Sequence, residues 1–588
     1  MAFSPQSRIL STEYLQKFVV IALTFWPAAV VGGGHFSTCF SNLNVSNGSH
    51  DYGPTGGVDN HGHPVNLSVA TGMTYELCNK ACGVRQGPPN WIAFSRQFGL
   101  WLLPWLGLLS QLPFGANDNL DNLSSMLLTV GSPTLAAYSL ALTVFNRSWI
   151  ARRFAGYTYP NVRNAVRILS SLQQSSLEIE TKGGLLASLV VLPENDKWWS
   201  ELIESIDVTH TWSTPAITSI AWVVLAYVFT LIDAHSEGIL YYTNDNGPSL
   251  GSLWLWLLPI VIGWLQVSPK CDSIRLRRII ERANEIAYVA TDGGCAVHVK
   301  DAKIEARAIE LTMTGVDYLR RDEICTVPIY NYARFLPWVQ AVEKVSAAFE
   351  AASDRYHNNQ SVNHSIDWVT VEHGDKPNEI NRVGNTMQVE EYCILQHNRR
   401  RRSRWGPEIL SRIFVASVLA LMLQWGTAGA LVIAVWFTPT RGLGCRSASY
   451  LVYAVLSTVV WMLLVTSSIL THYYTARRHD DRVIHHWSTR AAKYFSITFR
   501  CLGKVIAASN AIWLVLSGLL HFTNSFNTCY CNSNILWLPQ DRAYVVMWLS
   551  PDDVVLIKVA WVVSVCMAAA SAVLYIQFIN YILYRSKK

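Results

Sequence analysis

The densest group of metal-ligating side chains in the chain is "HDDRVIHHW", residues 479–487. Asp481 and His485 are four residues apart and would share one face of a helix, as zinc ligands often do. His479 and His486 complete a candidate set of four. Arg482 sits among them, however, and Arg477 and Arg478 stand just before. Mixed charge of that kind is the pattern of a solvated amphipathic linker. These four residues are therefore weak candidates, and the expectation is no metal and no cofactor.

Other chemistry is sparse. "NHGH" at 60–63 has two histidines but lies among glycines and asparagines, so it reads as a flexible loop. "TDGGCAV" at 291–297 lacks the Lys and Ser/Thr of a nucleotide loop and the spacing of a dinucleotide fingerprint. No GxSxG elbow and no HExxH pair occurs. With no catalytic residue to name, an enzyme is the weaker expectation.

The remaining candidates are polar residues inside apolar runs, which are expensive in lipid and usually have a purpose. Asp233 leads, with His235 beside it, followed by Gln424 and Asn510. The latter two are expected to hydrogen-bond across helices. Lys504 and Lys558 lie near the ends of their runs and are expected to snorkel. Pro133 and Pro259 fall inside apolar runs and would kink them.

What must position these residues is a membrane. The chain has 588 residues, 51% apolar and only 15% charged, with the apolar residues grouped into long runs. A soluble chain carries charge nearer a quarter of its residues. The expected fold class is all-α: a polytopic helical membrane protein with a glycosylated exocytoplasmic segment and a mainly helical cytosolic insert. The net charge of +6 sits mostly beside apolar runs, as cytosolic flanks require. No nucleic-acid recognition pattern accompanies it.

The order along the chain is as follows. Residues 1–33 read as a signal peptide or signal-anchor helix. Residues 34–97 form an exocytoplasmic segment rich in Cys, Asn and Gly, with acceptor triplets at Asn44, Asn47 and Asn66. The run 98–114 is short and contains Pro104, so an interfacial or re-entrant helix is expected, with Trp105 in the headgroup region. Transmembrane helices are expected at 123–145, 216–235, 250–269, 412–437, 450–472, 501–522 and 554–583. A cytosolic amphipathic segment occupies 146–215, and within it 198–206 reads as an interfacial helix. The cytosolic insert is 270–411, and 523–553 is an exocytoplasmic loop.

The alternation rests on charge. With Lys588 in the cytosol, every strongly basic flank falls on the cytosolic side only if 98–114 is not a crossing and 123–145 is one. Residues 115–122 are then outside. The same map collects Cys39, Cys78, Cys82, Cys445, Cys529 and Cys531 outside, an even set of candidate disulfide cysteines for an oxidising compartment. Connectivity is not readable.

The motifs "QLPFG" and "LLTVGSPTLAAYSLALTVFNRSW", together with the long arginine-flanked insert, resemble uncharacterised multi-pass membrane proteins of filamentous fungi. The resemblance is best over residues 95–153 and implies no catalytic residues. The partners expected are the lipid bilayer, anionic lipid at Arg399–Arg404 and a cytosolic protein, with no nucleic acid. The location is the plasma membrane or a secretory-pathway membrane. A non-enzymatic scaffold or sensor is the leading expectation. A transporter of a small or amphipathic solute using Asp233 is second, and a membrane-embedded enzyme third.

Overall fold

The computed structural model describes residues 56–66, 69–82, 103–114, 119–206, 212–236, 253–302, 306–312, 318–325, 327–370, 378–394, 408–438, 440–476, 487–522, 526 and 528–585. The segment 1–33, Cys39, Asn44, Asn47, Arg399–Arg404 and the 479–486 group lie outside the described residues.

In chain order the helices that build the core are α1 (Asn119–Gly131), α2 (Pro133–Phe154), α3 (Thr214–Ser236), α4 (Leu257–Val267) and α5 (Asn331–His357). Then come α6 (Ile409–Trp436), α7 (Cys445–Thr475), α8 (Trp487–Phe522) and α9 (Pro551–Arg585). Among the described residues, four helices, α6 to α9, are long and apolar enough to cross a membrane. At 1.5 Å per residue, about 20 residues suffice for the hydrocarbon layer. Their outer faces leave Phe414, Val418, Val455, Met462, Val505, Val559 and Leu574 exposed. Apolar surface on that scale belongs against lipid. By contrast α4 has 11 residues, about half a bilayer's thickness, although it falls within the expected span 250–269.

One end of the bundle carries a small module assembled from three distant stretches. Strands β1 (Gly57–Val58) and β2 (Gly72–Thr74) pair antiparallel, and β2 pairs with β7 (Tyr544–Val546), Met73 opposite Val545. Disulfides join Cys78 to Cys529 and Cys445 to Cys531, with Cα atoms 5.9 and 4.7 Å apart. Cys82 is disulfide-bonded as well. Arg441 donates to buried Asp553 at 2.6 Å, and Asn60 bonds the same carboxylate. Asn66 is exposed on this module. The stretches expected to share one side of the membrane, within 34–97, 438–449 and 523–553, meet here.

The other end carries a domain built from two pieces separated by α3 and α4. Strand β3 (Leu177–Ile179) pairs with β6 (Ile309–Leu311), while β4 (Tyr288–Ala290) and β5 (Ala296–His298) form a hairpin. Asn195 donates to the carbonyls of Ser188 (2.8 Å) and Tyr288 (3.0 Å) and accepts from the Tyr288 N–H. Buried Arg382 grips Asp196 at 2.7 Å and the Val191 carbonyl at 2.8 Å. Trp198 and Trp199 are fully buried in this core, and Trp198 donates to Asn284. The helix Asp196–Ile206 is thus internal rather than interfacial; its tryptophans fill a gap between the two pieces. The insert is also less purely helical than its sequence suggests, because short strands stitch it to 146–206.

The long helices connect these two ends. Arg412, one turn into α6, donates to Asn146 at 2.8 Å and lies over the Trp149 ring; at the far end Trp436 packs on Trp537. Helix α7 starts at the disulfide-bonded Cys445, in the module.

Against that frame the run expected to span as 123–145 is not one helix. α1 and α2 meet at 101°, the break falling at Ser132 before Pro133. Gly131 sits on α8 so closely that a Cβ would fall 1.9 Å from the Ala507 carbonyl oxygen. Ser132 caps α2 through the Leu135 N–H, and its hydroxyl donates to the Ser457 carbonyl. Both outer ends of the pair lie by the insert: Ser124 hydrogen-bonds Tyr330 near the start of α1, and Arg153 pairs with Glu343 and Glu350 at the end of α2. By length and composition the bent pair is a broken span or a re-entrant loop. The preceding helix, Leu103–Leu109, is also not at the surface; Trp105 is buried and stacks on Trp254. Leu112 and Phe114 lie beside Val327 and Pro328, level with Thr129 and Ala136 near the α1–α2 break.

Candidate functional site

Where α7 and α8 reach the insert, a cavity of about 360 Å³ opens between bundle and domain. The bundle contributes Ser467, Ser468, Thr471, His472 and Thr475 from α7 and Arg500 from α8. The residues 467, 471 and 475 recur every fourth position and therefore form one stripe. The domain contributes Glu178 from β3 and, from the insert, Arg320, Asp322, Glu323, Tyr332 and Lys344.

Ion pairs organise the walls. Lys504 of α8 donates to Asp322 at 2.6 Å, and Tyr332 donates to the same carboxylate at 2.5 Å. Burial pushes the Asp322 carboxyl up, but the Lys504 ammonium and the Arg500 guanidinium outweigh it and hold it below the ordinary range. Tyr332 is driven well above its ordinary value by burial and by that carboxylate, so it stays a donor. Arg320 pairs with Glu323 at 2.8 Å; burial nonetheless raises the Glu323 carboxyl. Arg500 donates to the Leu319 carbonyl at 2.6 Å, and Lys344 to the Ile179 carbonyl at 3.0 Å. No bound nucleophile–base pair emerges from this set; its chemistry is charge and hydrogen bonding around a space.

The residues singled out by sequence sit elsewhere. Asn510 is fully buried two-thirds of the way along α8 and donates to the carbonyls of Gly131 (2.8 Å) and Tyr453 (3.1 Å). It bonds across helices as expected, and holds the α1–α2 break in place. Gln424 is also fully buried, but neither of its amide atoms has a partner among the described residues. It opens a π-helical turn, Trp425–Gly429, within α6. Asp233 and His235 fall in the last turn of α3, and their side chains lie outside the described residues. Lys558 is exposed on α9. Lys504 does not snorkel to water: Asp322, supplied by the insert, meets it where it stands. Asp59 spends its carboxylate on the N–H groups of His61 and His63 and on the His63 ring, so "NHGH" is a closed turn. Among the described residues no group of three or more His, Cys, Asp or Glu is arranged to hold a metal.

The cavity residues escaped sequence reading because their signals are individually ordinary. Thr471 and Thr475 look like the end of a span, Arg500 like a basic flank, and Asp322 like a loop acid. The one visible hint was Lys504 inside an apolar run. Comparison with family models, with curated proteins and with solved structures finds no match for the chain.

Proposed function

We propose that this chain is a non-enzymatic membrane sensor or scaffold, whose cytosolic domain responds to what occupies the cavity between itself and the bundle. One observation carries the reading: the cavity walls come from both units, and the Asp322–Lys504 pair crosses from one to the other. A solute in that space touches both and so biases their docking, which is what a sensor needs. The module end is then exocytoplasmic and carries glycans at Asn44, Asn47 and Asn66. The insert end is cytosolic, with Arg399–Arg404 available to anionic lipid. The resemblance to multi-pass proteins of filamentous fungi is part of the same proposal.

The test is a thermal-unfolding screen of the full chain in lipid nanodiscs against small polar metabolites. Stabilisation by a metabolite, lost in Arg500→Gln, supports the sensor. A second reading, transport, draws on the bent α1–α2 pair and the unpartnered Gln424 beside a π-helical turn. Solute flux in proteoliposomes that Gln424→Leu abolishes would favour it over the sensor.

A further inference from the structure

Arg334, at the start of α5, carries a charge that its surroundings leave unanswered. The residue is 1% exposed. Its Nη2 donates to the Val327 carbonyl at 2.6 Å, to Asn331 Oδ1 at 3.0 Å and to Gln174 Oε1 at 3.2 Å. All three acceptors are neutral. Nε and Nη1 are buried without a hydrogen-bond partner, and among the described residues Arg334 forms no ion pair. The groups that act most strongly on its charge are the thiols of Cys271 and Cys325 and the phenols of Tyr330 and Tyr332. Burial raises all four, the thiols to about 12 and about 11, so none is an anion at neutral pH. Burial pulls the guanidinium down only to about 10, so it keeps its proton. Asp322, which Tyr332 holds, is already matched by Lys504 at 2.6 Å.

The position deepens the deficit. The contacts to Val327 and Asn331 bring the guanidinium back to the N-terminal end of a 27-residue helix, where the aligned peptide dipoles are positive. The first turn holds no acidic residue, and Tyr330 provides no side-chain cap. A cation enclosed at that end is costly unless an anion joins it. We propose that Arg334 binds one small inorganic anion, of the size of chloride, through Nε–H and Nη1–H where α5 meets α2. Asn331 and Gln174, which hold the guanidinium, both donate to Thr143 Oγ1 of α2, at 2.6 and 3.3 Å. Enclosure sets the size. A lipid headgroup needs an opening that so buried a residue lacks. A cavity of about 20 Å³ adjoins the network at Ser139 and Val327, room for one water or one halide. A water satisfies the N–H groups but leaves the charge; a halide answers both. Arg334 does not line the large cavity, so this assignment stands apart from the sensor reading.

The experiment is thermal unfolding and hydrogen exchange of the full chain in phosphatidylcholine nanodiscs, with chloride titrated against gluconate at constant ionic strength. Chloride is expected to raise the melting temperature saturably and to slow exchange at 327–335. Arg334→Met should remove both responses. Arg334→Lys keeps the charge but not the paired donors, and should weaken chloride binding about tenfold. The wild-type readings need no variant, so misfolding of either one leaves the test intact. Equal stability in chloride and gluconate overturns the assignment. So does stabilisation by chloride that leaves exchange at 327–335 unchanged, or that Arg334→Met retains in full, since the anion then sits elsewhere.

Discussion

Lys504 and Asp322 are 182 positions apart in the chain, and their charged atoms stand 2.6 Å apart across the boundary between the helical bundle and the domain at its end. Asp322 is almost wholly buried, while the lysine side chain keeps about a third of its surface. Removing the lysine leaves a buried carboxylate without its main partner. Lys504→Met is expected to destabilise the protein by about 3 kcal/mol, and Asp322→Asn added to it to recover part of that loss. Thermal unfolding of the two single variants and the double variant in nanodiscs measures the coupling.

The same pair sets a pH dependence. Asp322 has its carboxyl held below the ordinary range, so its contribution is complete above the unfolded value of about 4 and disappears as pH falls through the folded value. The docking of domain on bundle should therefore hold at mildly acidic pH and weaken only in strong acid. Asp322→Asn should flatten that part of the stability profile.

How much of this was legible in the sequence depends on the range of the interaction. Apolar run length marked α6 to α9, because twenty apolar residues need no partner to be recognised. Basic flanks grouped the stretches that meet in the disulfide module, though not which cysteine bonds which. Pro133 announced a break between α1 and α2. The sharp angle goes with Gly131 resting on Ala507, a contact that no local pattern encodes. Likewise Trp198 and Trp199 form an amphipathic face that suits a membrane surface as well as a protein core. Distant contacts, Trp198 with Asn284 and Trp199 with Phe349, decide between them.

Gly131 makes that close approach testable. A methyl group there collides with the Ala507 carbonyl, which belongs to backbone and cannot swing away. Gly131→Ala should cost about 1–3 kcal/mol and shift α1 off α8. Loss of thermal stability together with faster hydrogen exchange over 119–131 would register it.

The threading of α1 and α2 yields a labelling result. Asp121 is exposed at the start of α1, and its end of the helix lies by the insert. In a background without the free cysteines, Asp121→Cys should react with an impermeant maleimide only from the side that carries the insert. This reverses the side expected from charge counting alone. Reaction only from the module side would restore 123–145 as a crossing.

The disulfide module predicts a peptide map. Non-reducing digestion should recover Cys78 joined to Cys529 and Cys445 joined to Cys531. Cys445→Ser should cost about 2–4 kcal/mol, read as increased protease sensitivity of 528–550.

Bundle and domain are expected to act as one unit around the cavity. Hydrogen exchange of the full chain in nanodiscs, wild type against Lys504→Met, tests it most directly. Faster exchange in Lys504→Met is expected both at 319–345 of the domain and at 467–476 of α7. Unchanged exchange at 467–476, with any loosening confined to the domain, would contradict it.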